Sequence, residues 1–246
     1  MEFIGHGALG WNHPPAWATY FAVVGIPEDI ALSLMPWVGV LDVTLALTVL
    51  FFPMRAVVFY MAAWGLWTAM LRPLAGEPVW ELIERAGNFG ALVAWFLLAK
   101  GGSKASWFRF DLLDSLGVKR YATVSWILRL TTAALLLGHG ALGLIVRKPL
   151  FSMQYGVIGL HAAWFEPLVG AFEMALALGV LVWPEFGLLV FILIWKLATE
   201  VLSPIAGTQI WVFIEHGGSY AAPLALALIA LGHENPVTAV PNAAAA

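Results

Sequence analysis

The sequence predicts an all-α integral membrane protein, a polytopic bundle of transmembrane helices. Hydrophobic residues make up 61% of the 246-residue chain, charged residues only 11%, and the mean hydropathy is +0.87. Soluble domains carry about 25% charged residues, so a surface this apolar belongs in a lipid bilayer. The apolar runs are continuous rather than alternating. This favours helices over a membrane β-barrel, because a helix satisfies its own backbone hydrogen bonds in lipid.

Seven transmembrane helices and an N-terminal half-helix account for the apolar runs. We predict them at about residues 36–52, 54–71, 79–100, 121–146, 167–183, 186–202 and 210–232. Several are shorter than the roughly 20 residues of a full membrane span. Pro53 and Pro184 predict tight turns, because proline ends the helix that precedes it. No run contains an obvious mid-helix break.

The chain repeats itself, with most matched positions 131 residues apart. The matches include Gly5–Gly10 with Gly138–Gly143, Val24 with Ile158, Pro36 with Pro167, Asp42 with Glu173, Pro53 with Pro184 and Trp64 with Trp195. Their common order predicts a tandem duplication, with repeats at 1–100 and 121–246 and a linker at 101–120. His139 lies late in a long helix, whereas the matching His6 is almost at the N-terminus. We therefore expect the first helix of the first repeat to be truncated.

One polar stretch is written twice, at 72–89 and at 203–220. Its copies share Pro73 with Pro204, Gly76 with Gly207, Trp80 with Trp211, Glu84 with Glu215 and Gly87 with Gly218, while Arg85 is replaced by His216. In one interpretation the acids cap a helix at its positive end and the tryptophans anchor it at the membrane interface. In the other, this interfacial motif (Trp80, Glu84, Arg85, Trp211, Glu215 and His216) faces a quinone headgroup or docks a periplasmic partner.

The linker is the only long polar segment. Residues 100–120 contain five Lys or Arg against two Asp, so the positive-inside rule predicts that the linker is cytoplasmic. Both proline turns then lie inside, and the two polar stretches lie outside. Because a full repeat has four helices, an even number, we expect parallel repeats related by a pseudo-two-fold axis along the membrane normal.

Among the ionisable residues in the predicted helices of the second repeat, four are of most interest: His139, Glu173, Lys196 and Glu200. Lys196 and Glu200 are four residues apart, so they share a helix face and can pair. Glu173 reaches Lys196 if the two helices pack as a hairpin. Ionisable groups in a membrane are costly and mark functional sites by default. The alternatives are a neutralised cluster that fixes helix packing and a proton or quinone site.

The histidines raise the question of a cofactor. Neutral imidazole is a common axial ligand, so His6 or His139 could bind a haem or a chlorin. Their flanking glycines equally favour close helix packing. No set of three or four convergent zinc ligands is visible, and we predict no metal site. The absence of cysteine excludes cysteine-ligated iron–sulfur clusters. Without a basic patch or a phosphate-binding glycine loop, nucleic acid is not an expected partner.

The segment Gly25–Asp42, which leads into the apolar run 43–52, resembles the DoxX pattern. In that pattern a Gly-x-Pro segment precedes a helix that carries a glycine and, three residues later, an acid. The His-Gly pair near the end of the first helix is also similar to DoxX-like proteins. The resemblance implies four-helix membrane units, and the relative DoxD is a subunit of a thiosulfate:quinone oxidoreductase. The duplication and the truncated first helix depart from the single unit usual in that family.

Three functions are consistent with these features. The first is an accessory or structural, non-catalytic subunit of a quinone-linked electron-transfer complex in the bacterial inner membrane, with membrane or periplasmic partner subunits. The second is a quinone-reactive subunit that uses Glu173, Lys196 or His139, and it requires a quinone-sized pocket beside them. The third is a small-solute transporter, which requires a polar cavity between the repeats and broken helices there.

Overall fold

The computed structural model describes residues 1–101, 103–113 and 117–234, and within these ranges it contains helices and no β-strand. The helices are α1 (Glu2–Trp11), α2 (Ala18–Ala22), α3 (Glu28–Phe51), α4 (Arg55–Leu74), α5 (Trp80–Glu84), α6 (Ala86–Leu97), α7 (Val118–Ala141), α8 (Pro149–Gly156), α9 (Phe165–Val182), α10 (Phe186–Glu200), α11 (Leu202–Ile205), α12 (Ile210–Glu215) and α13 (Gly217–Glu234). Below, the first half is residues 1–100 and the second half is residues 121–246.

Within the part of the chain that the structure describes, five segments are long and apolar enough to cross a membrane. They are Glu28–Phe51, Val118–Val146, Phe165–Val182, Phe186–Ile205 and Ile210–Leu231. The 20-residue α4 and the shorter apolar α6 pack among them. The chain is thus an all-α integral membrane protein, as its composition predicts, with fewer clear spans than the seven predicted.

The predicted start of α3 at residue 36 was wrong, because the helix begins eight residues earlier, at Glu28. Pro27 precedes the first turn, in which the acidic Glu28 and Asp29 interact favourably with the helix dipole. Pro36 therefore lies inside the helix. The sequence analysis also missed α2 and α8, two short helices that follow the first helix of each half.

The expectation of unbroken helices was wrong where each polar stretch enters its helix. A single turn residue separates α5 from α6 at Arg85, and another separates α12 from α13 at His216. Glycine follows each break within two residues, at Gly87 and Gly217, and glycine is among the weakest helix formers. Each polar stretch therefore runs into a kinked helix rather than a straight one.

The two kinked helices meet at Gly87 and Gly218. A Cβ atom built on Gly87 would lie 2.6 Å from the backbone carbonyl carbon of Gly218, and one built on Gly218 would lie 2.5 Å from that of Gly87. Only glycine permits backbones to approach this closely. The contact brings the two polar stretches together in the middle of the bundle.

The first helix of each half packs against the other half. Besides α3, α1 contacts α12 of the second half, where a Cβ on Gly5 would lie 2.7 Å from the Glu215 Cα. In the same way, α7 contacts α9 and also α5 of the first half, where a Cβ on Gly138 would lie 2.6 Å from the Glu84 Cα. This exchange places Glu215 against α1 of the first half and Glu84 against α7 of the second.

The linker lies at the end of the bundle where α4 begins. The Arg55 backbone N–H donates to the Arg109 carbonyl at 3.2 Å, and the Arg55 guanidinium donates to the Ser106 hydroxyl at 3.0 Å. The polar stretches occupy the opposite end of α4, where Lys148 Nζ donates to Glu81 Oε1 at 2.7 Å. Twenty helical residues separate the two ends by about 30 Å.

Candidate functional site

A histidine, an acid and a tryptophan from three helices form a hydrogen-bonded triad in the first half. His6 Nδ1 lies 2.6 Å from Asp42 Oδ2, and Trp64 Nε1 donates to Asp42 Oδ1 at 2.9 Å. Asp42 is only 1% exposed. The ring of Trp17 stacks on His6 with centroids 4.5 Å apart. Because a carboxylate only accepts, it orients the imidazole with the proton on Nδ1.

The matching residues of the second half make the same contacts. His139 Nδ1 hydrogen-bonds Glu173 Oε2, and Trp195 Nε1 donates to Glu173 Oε1 at 2.9 Å. An aromatic ring again covers the imidazole, since Phe151 lies 4.4 Å from it between centroids. The sequence contains this signal, because all three polar positions are matched between the repeats, but the spacing alone did not identify them as one triad.

Lys196 and Glu200 extend the second triad into an ionic cluster. Lys196 Nζ lies 2.8 Å from Glu200 Oε1, as the four-residue spacing predicts, and 3.7 Å from Glu173 Oε1. Lys196 is only 1% exposed, and Glu173, Glu200 and His139 are also buried. The structure therefore brings together all four residues that the sequence grouped as a candidate polar cluster.

Two residues of the interfacial motif join this cluster. His216 Nδ1 lies 2.6 Å from Glu200 Oε2, and Glu84 Oε1 lies 3.9 Å from His139 Nε2. Glu84 and Glu215 are buried inside the bundle, while Trp80 and Trp211 are partly buried. The acids of the motif thus lie between the two halves.

Glu81 was missed by the sequence analysis although it is a buried hub for three cations. Its carboxylate lies 2.9 Å from Arg85 Nη1, 2.7 Å from Lys148 Nζ and 3.7 Å from Arg72 Nη1. The four-residue spacing of Glu81 and Arg85 on the polar stretch was the available signal. This hub fixes Arg85 beside Glu84.

A polar latch closes the end of the first half that is opposite the linker. The Tyr20 hydroxyl donates a hydrogen bond to Glu77, and Arg72 Nη1 lies 3.1 Å from the other oxygen of Glu77. Burial raises the pKa of Tyr20 to about 12. Burial acts to raise the pKa of Glu77 as well, but the Tyr20 hydrogen bond and the Arg72 charge hold that pKa below its usual value. The latch ties α2 to α4.

A cavity of about 220 Å³ lies between the first triad and this latch. Its lining includes the triad itself, the aromatic residues Trp17, Phe21 and Trp67, the polar residues Glu2, Arg72, Arg85 and Asn88, and Glu215 from the second half. Val24 also lines the cavity and is 51% exposed, which places it at the mouth. The cavity therefore has aromatic walls, one charged end and an apolar entrance.

In the second half, side chains occupy the space that corresponds to this cavity. Gly65 lines the cavity in the first half, directly after Trp64, whereas Lys196 follows Trp195 in the second. Four residues further on, the first half has the buried Ala69 and the second half has Glu200. The long Lys196 side chain reaches Glu173, the counterpart of Asp42.

Among the described residues, no group of three or more His, Asp or Glu side chains is arranged to hold a metal ion. No protein-family model, no curated protein and no solved structure matches this chain. Its function is therefore argued from the cavity and the two clusters.

Proposed function

We propose that this protein is a DoxX-like, tandemly duplicated subunit of a quinone-linked electron-transfer complex in the bacterial inner membrane. Its own contribution in this proposal is to bind a quinone headgroup in the cavity beside His6. The observation that carries the proposal is the cavity, which joins an apolar mouth to a buried end with hydrogen-bonding groups. Ligand sites combine apolar walls with a few placed polar groups in this way.

The size and the walls of the cavity suit a single ring. Pockets for drug-sized ligands span roughly 300–1,000 Å³, and this cavity holds about 220 Å³. A haem or a chlorin needs more room than this space provides. The indoles of Trp17 and Trp64 line the cavity and give a planar headgroup surfaces to stack on.

The polar end suits oxygen atoms on such a ring. Arg72, Arg85 and Asn88 line it and are hydrogen-bond donors for carbonyl oxygens. Arg85 is held by Glu81 at 2.9 Å, and His6 is held by Asp42. These groups are positioned before a ligand enters, which lowers the entropic cost of binding.

The paired contacts of the two halves support the duplication. Equivalent triads, the reciprocal packing of α1 and α7, and the contact between Gly87 and Gly218 are what parallel repeats around a pseudo-two-fold axis would produce. Because Lys196 enters the second site, we propose one ligand site in each chain. With the basic linker on the cytoplasmic side, the cavity lies toward the outer face, where a periplasmic partner can approach.

The two kinked helices favour the transporter hypothesis, but the cavity near His6 is not the one that transport requires. Among the residues lining the cavity near His6, only Glu215 belongs to the second half. An alternating-access site is expected at the interface of the repeats, with both contributing. We therefore do not propose transport.

Quinone binding is testable with the intact chain in lipid nanodiscs. We expect a short-chain benzoquinone to quench tryptophan fluorescence saturably, since Trp17 and Trp64 line the cavity. Val24→Trp should block the mouth and weaken binding by about tenfold or more, the loss of roughly 1.4 kcal/mol. The matched control is Ile158→Trp in the second half, where Ile158 is similarly exposed (55%). No saturable quenching, or equal effects of the two substitutions, would refute the assignment.

The subunit part of the proposal needs a separate measurement. Gentle purification from native membranes, followed by an absorption spectrum and mass spectrometry, should recover defined partner chains with a redox cofactor. A monodisperse and solitary chain that still binds quinone would contradict membership of a complex while leaving the binding site in place.

A further inference from the structure

Glu215 is a buried carboxylate that faces the cavity. It comes from the second half, is only 6% exposed and lines the cavity beside His6. Among the described residues, no hydrogen-bond donor engages its side chain and no cation lies within the 4.0 Å of an ion pair. The packing of α1 on α12, with Gly5 against the Glu215 backbone, holds it in place.

The matching acid of the first half is engaged. Glu84 lies 3.3 Å from Arg85 Nη1 and 3.9 Å from His139 Nε2. In the first half, the acid of the duplicated motif therefore has a hydrogen-bond donor. The lack of a donor at Glu215 is not a general property of the motif. The positive charges of Arg85 and Arg72 partly offset the negative charge of Glu215. Its oxygens still lack a hydrogen-bond donor among the described residues, and burying an acceptor without a donor is costly. A donor supplied by a ligand would remove this cost at Glu215.

We propose that Glu215 selects the ligand by accepting a hydrogen bond from a hydroxyl group, so that the cavity binds hydroquinone in preference to quinone. This inference rests on the proposed function. A hydroquinone has two O–H donors, whereas the carbonyl oxygens of a quinone can only accept and would face the carboxylate unfavourably. No electron or proton is transferred in this binding step.

The expected preference follows from the strength of a charge-assisted hydrogen bond. Such bonds correspond to roughly 10- to 100-fold in affinity. The test compares the dissociation constants of a short-chain hydroquinone and its quinone for the full chain in nanodiscs without oxygen. The hydroquinone dimethyl ether, which keeps the ring and lacks the hydroxyl groups, serves as a third probe.

Glu215→Gln should remove most of the preference, because an amide both donates and accepts. The control is Glu166→Gln, which changes a partly buried acid outside the cavity that accepts a hydrogen bond from Ser152 at 2.6 Å. It should keep the wild-type preference. A preference that persists in Glu215→Gln would overturn the assignment of Glu215.

Two outcomes in the wild type separate this inference from the proposed function. If quinone and hydroquinone bind with equal affinity, the selection by Glu215 is wrong and the quinone site stands. If none of the probes binds, the proposed function itself is wrong. The wild-type comparison of hydroquinone with its dimethyl ether decides the matter even if Glu215→Gln fails to fold, since equal affinities for the two would refute the hydroxyl contact.

Discussion

Replacing Lys196 by methionine should destabilise the protein by about 3–5 kcal/mol, the usual cost of removing one partner from a buried ion pair. Lys196 Nζ lies 2.8 Å from Glu200 Oε1 and 3.7 Å from Glu173 Oε1, and the residue is 1% exposed. Methionine fills a similar volume, so the change removes the charge more than the packing. The two buried carboxylates would then keep His139, His216 and the Trp195 N–H as partners but would lose their lysine.

Thermal unfolding measures this loss directly. In proteins of 150–250 residues, 1 kcal/mol shifts Tm by about 2–4 °C, so we expect Lys196→Met to lower it by about 6–20 °C. The thirteen tryptophans provide the fluorescence signal in detergent. Ile194→Met is the matched control, because Ile194 lies on the same helix and is 59% exposed on its lipid-facing side. It should leave Tm nearly unchanged.

The double variant Lys196→Met with Glu200→Gln tests the cause of the effect. Glutamine keeps an oxygen that can accept from His216 Nδ1, which lies 2.6 Å from Glu200 Oε2. Because the second substitution removes the charge that Lys196 compensates, the double variant should recover about 1 kcal/mol or more relative to the sum of the single variants. Strict additivity, or a loss below about 1 kcal/mol for Lys196→Met, would refute the charge-pairing argument.

Three further predictions test other parts of the structure. Gly87→Val should cost at least about 1–3 kcal/mol, measured by Tm, because its Cβ would lie 2.6 Å from the backbone of Gly218. Trp64→Phe should cost about 1–3 kcal/mol in the same assay, because Asp42 loses the donor at 2.9 Å and remains buried. Since burial raises the pKa of Tyr20 from 10.0 to about 12, its contribution to stability is full below pH 10.0 and is lost as the pH rises through about 12. Tyr20→Phe should abolish that alkaline loss in melts recorded against pH.

Helix geometry explains what the sequence could predict about the site. The pairing of Lys196 with Glu200 follows from the spacing of residues on one helix face, and it required no knowledge of the fold. The proximity of Glu173 required only that consecutive helices form a hairpin. The triads could also have been predicted, because the histidine, the acid and the tryptophan are matched in both repeats.

Other features depend on packing that local patterns do not encode. Adjacent residues on a helix point in different directions. In each kinked helix, one of two adjacent residues therefore faces the cavity and the other faces the ionic cluster. Arg85 lines the cavity while Glu84 lies near His139, and Glu215 lines the cavity while His216 pairs with Glu200. Only the exchange of α1 and α7 between the halves makes this possible. The motif could be found in the sequence, but the sequence did not show that its side chains lie in two different sites.

The difference between the two halves also constrains the charge of the ligand. Where the first half has Gly65, Ala69 and an open cavity, the second half has Lys196 and Glu200, whose charges are opposite and cancel. The two side chains that fill the second site therefore add no net charge to it, although the triad beside them is the same. The open site of the first half already holds charges of both signs, with Arg72 and Arg85 beside Glu2, Asp42 and Glu215. The neutral ligand that we propose adds no further ion to them, whereas a charged ligand would need a counter-ion in the bundle. Quinone and hydroquinone, the ligands that we propose, are both neutral, and in our proposal Glu215 distinguishes them.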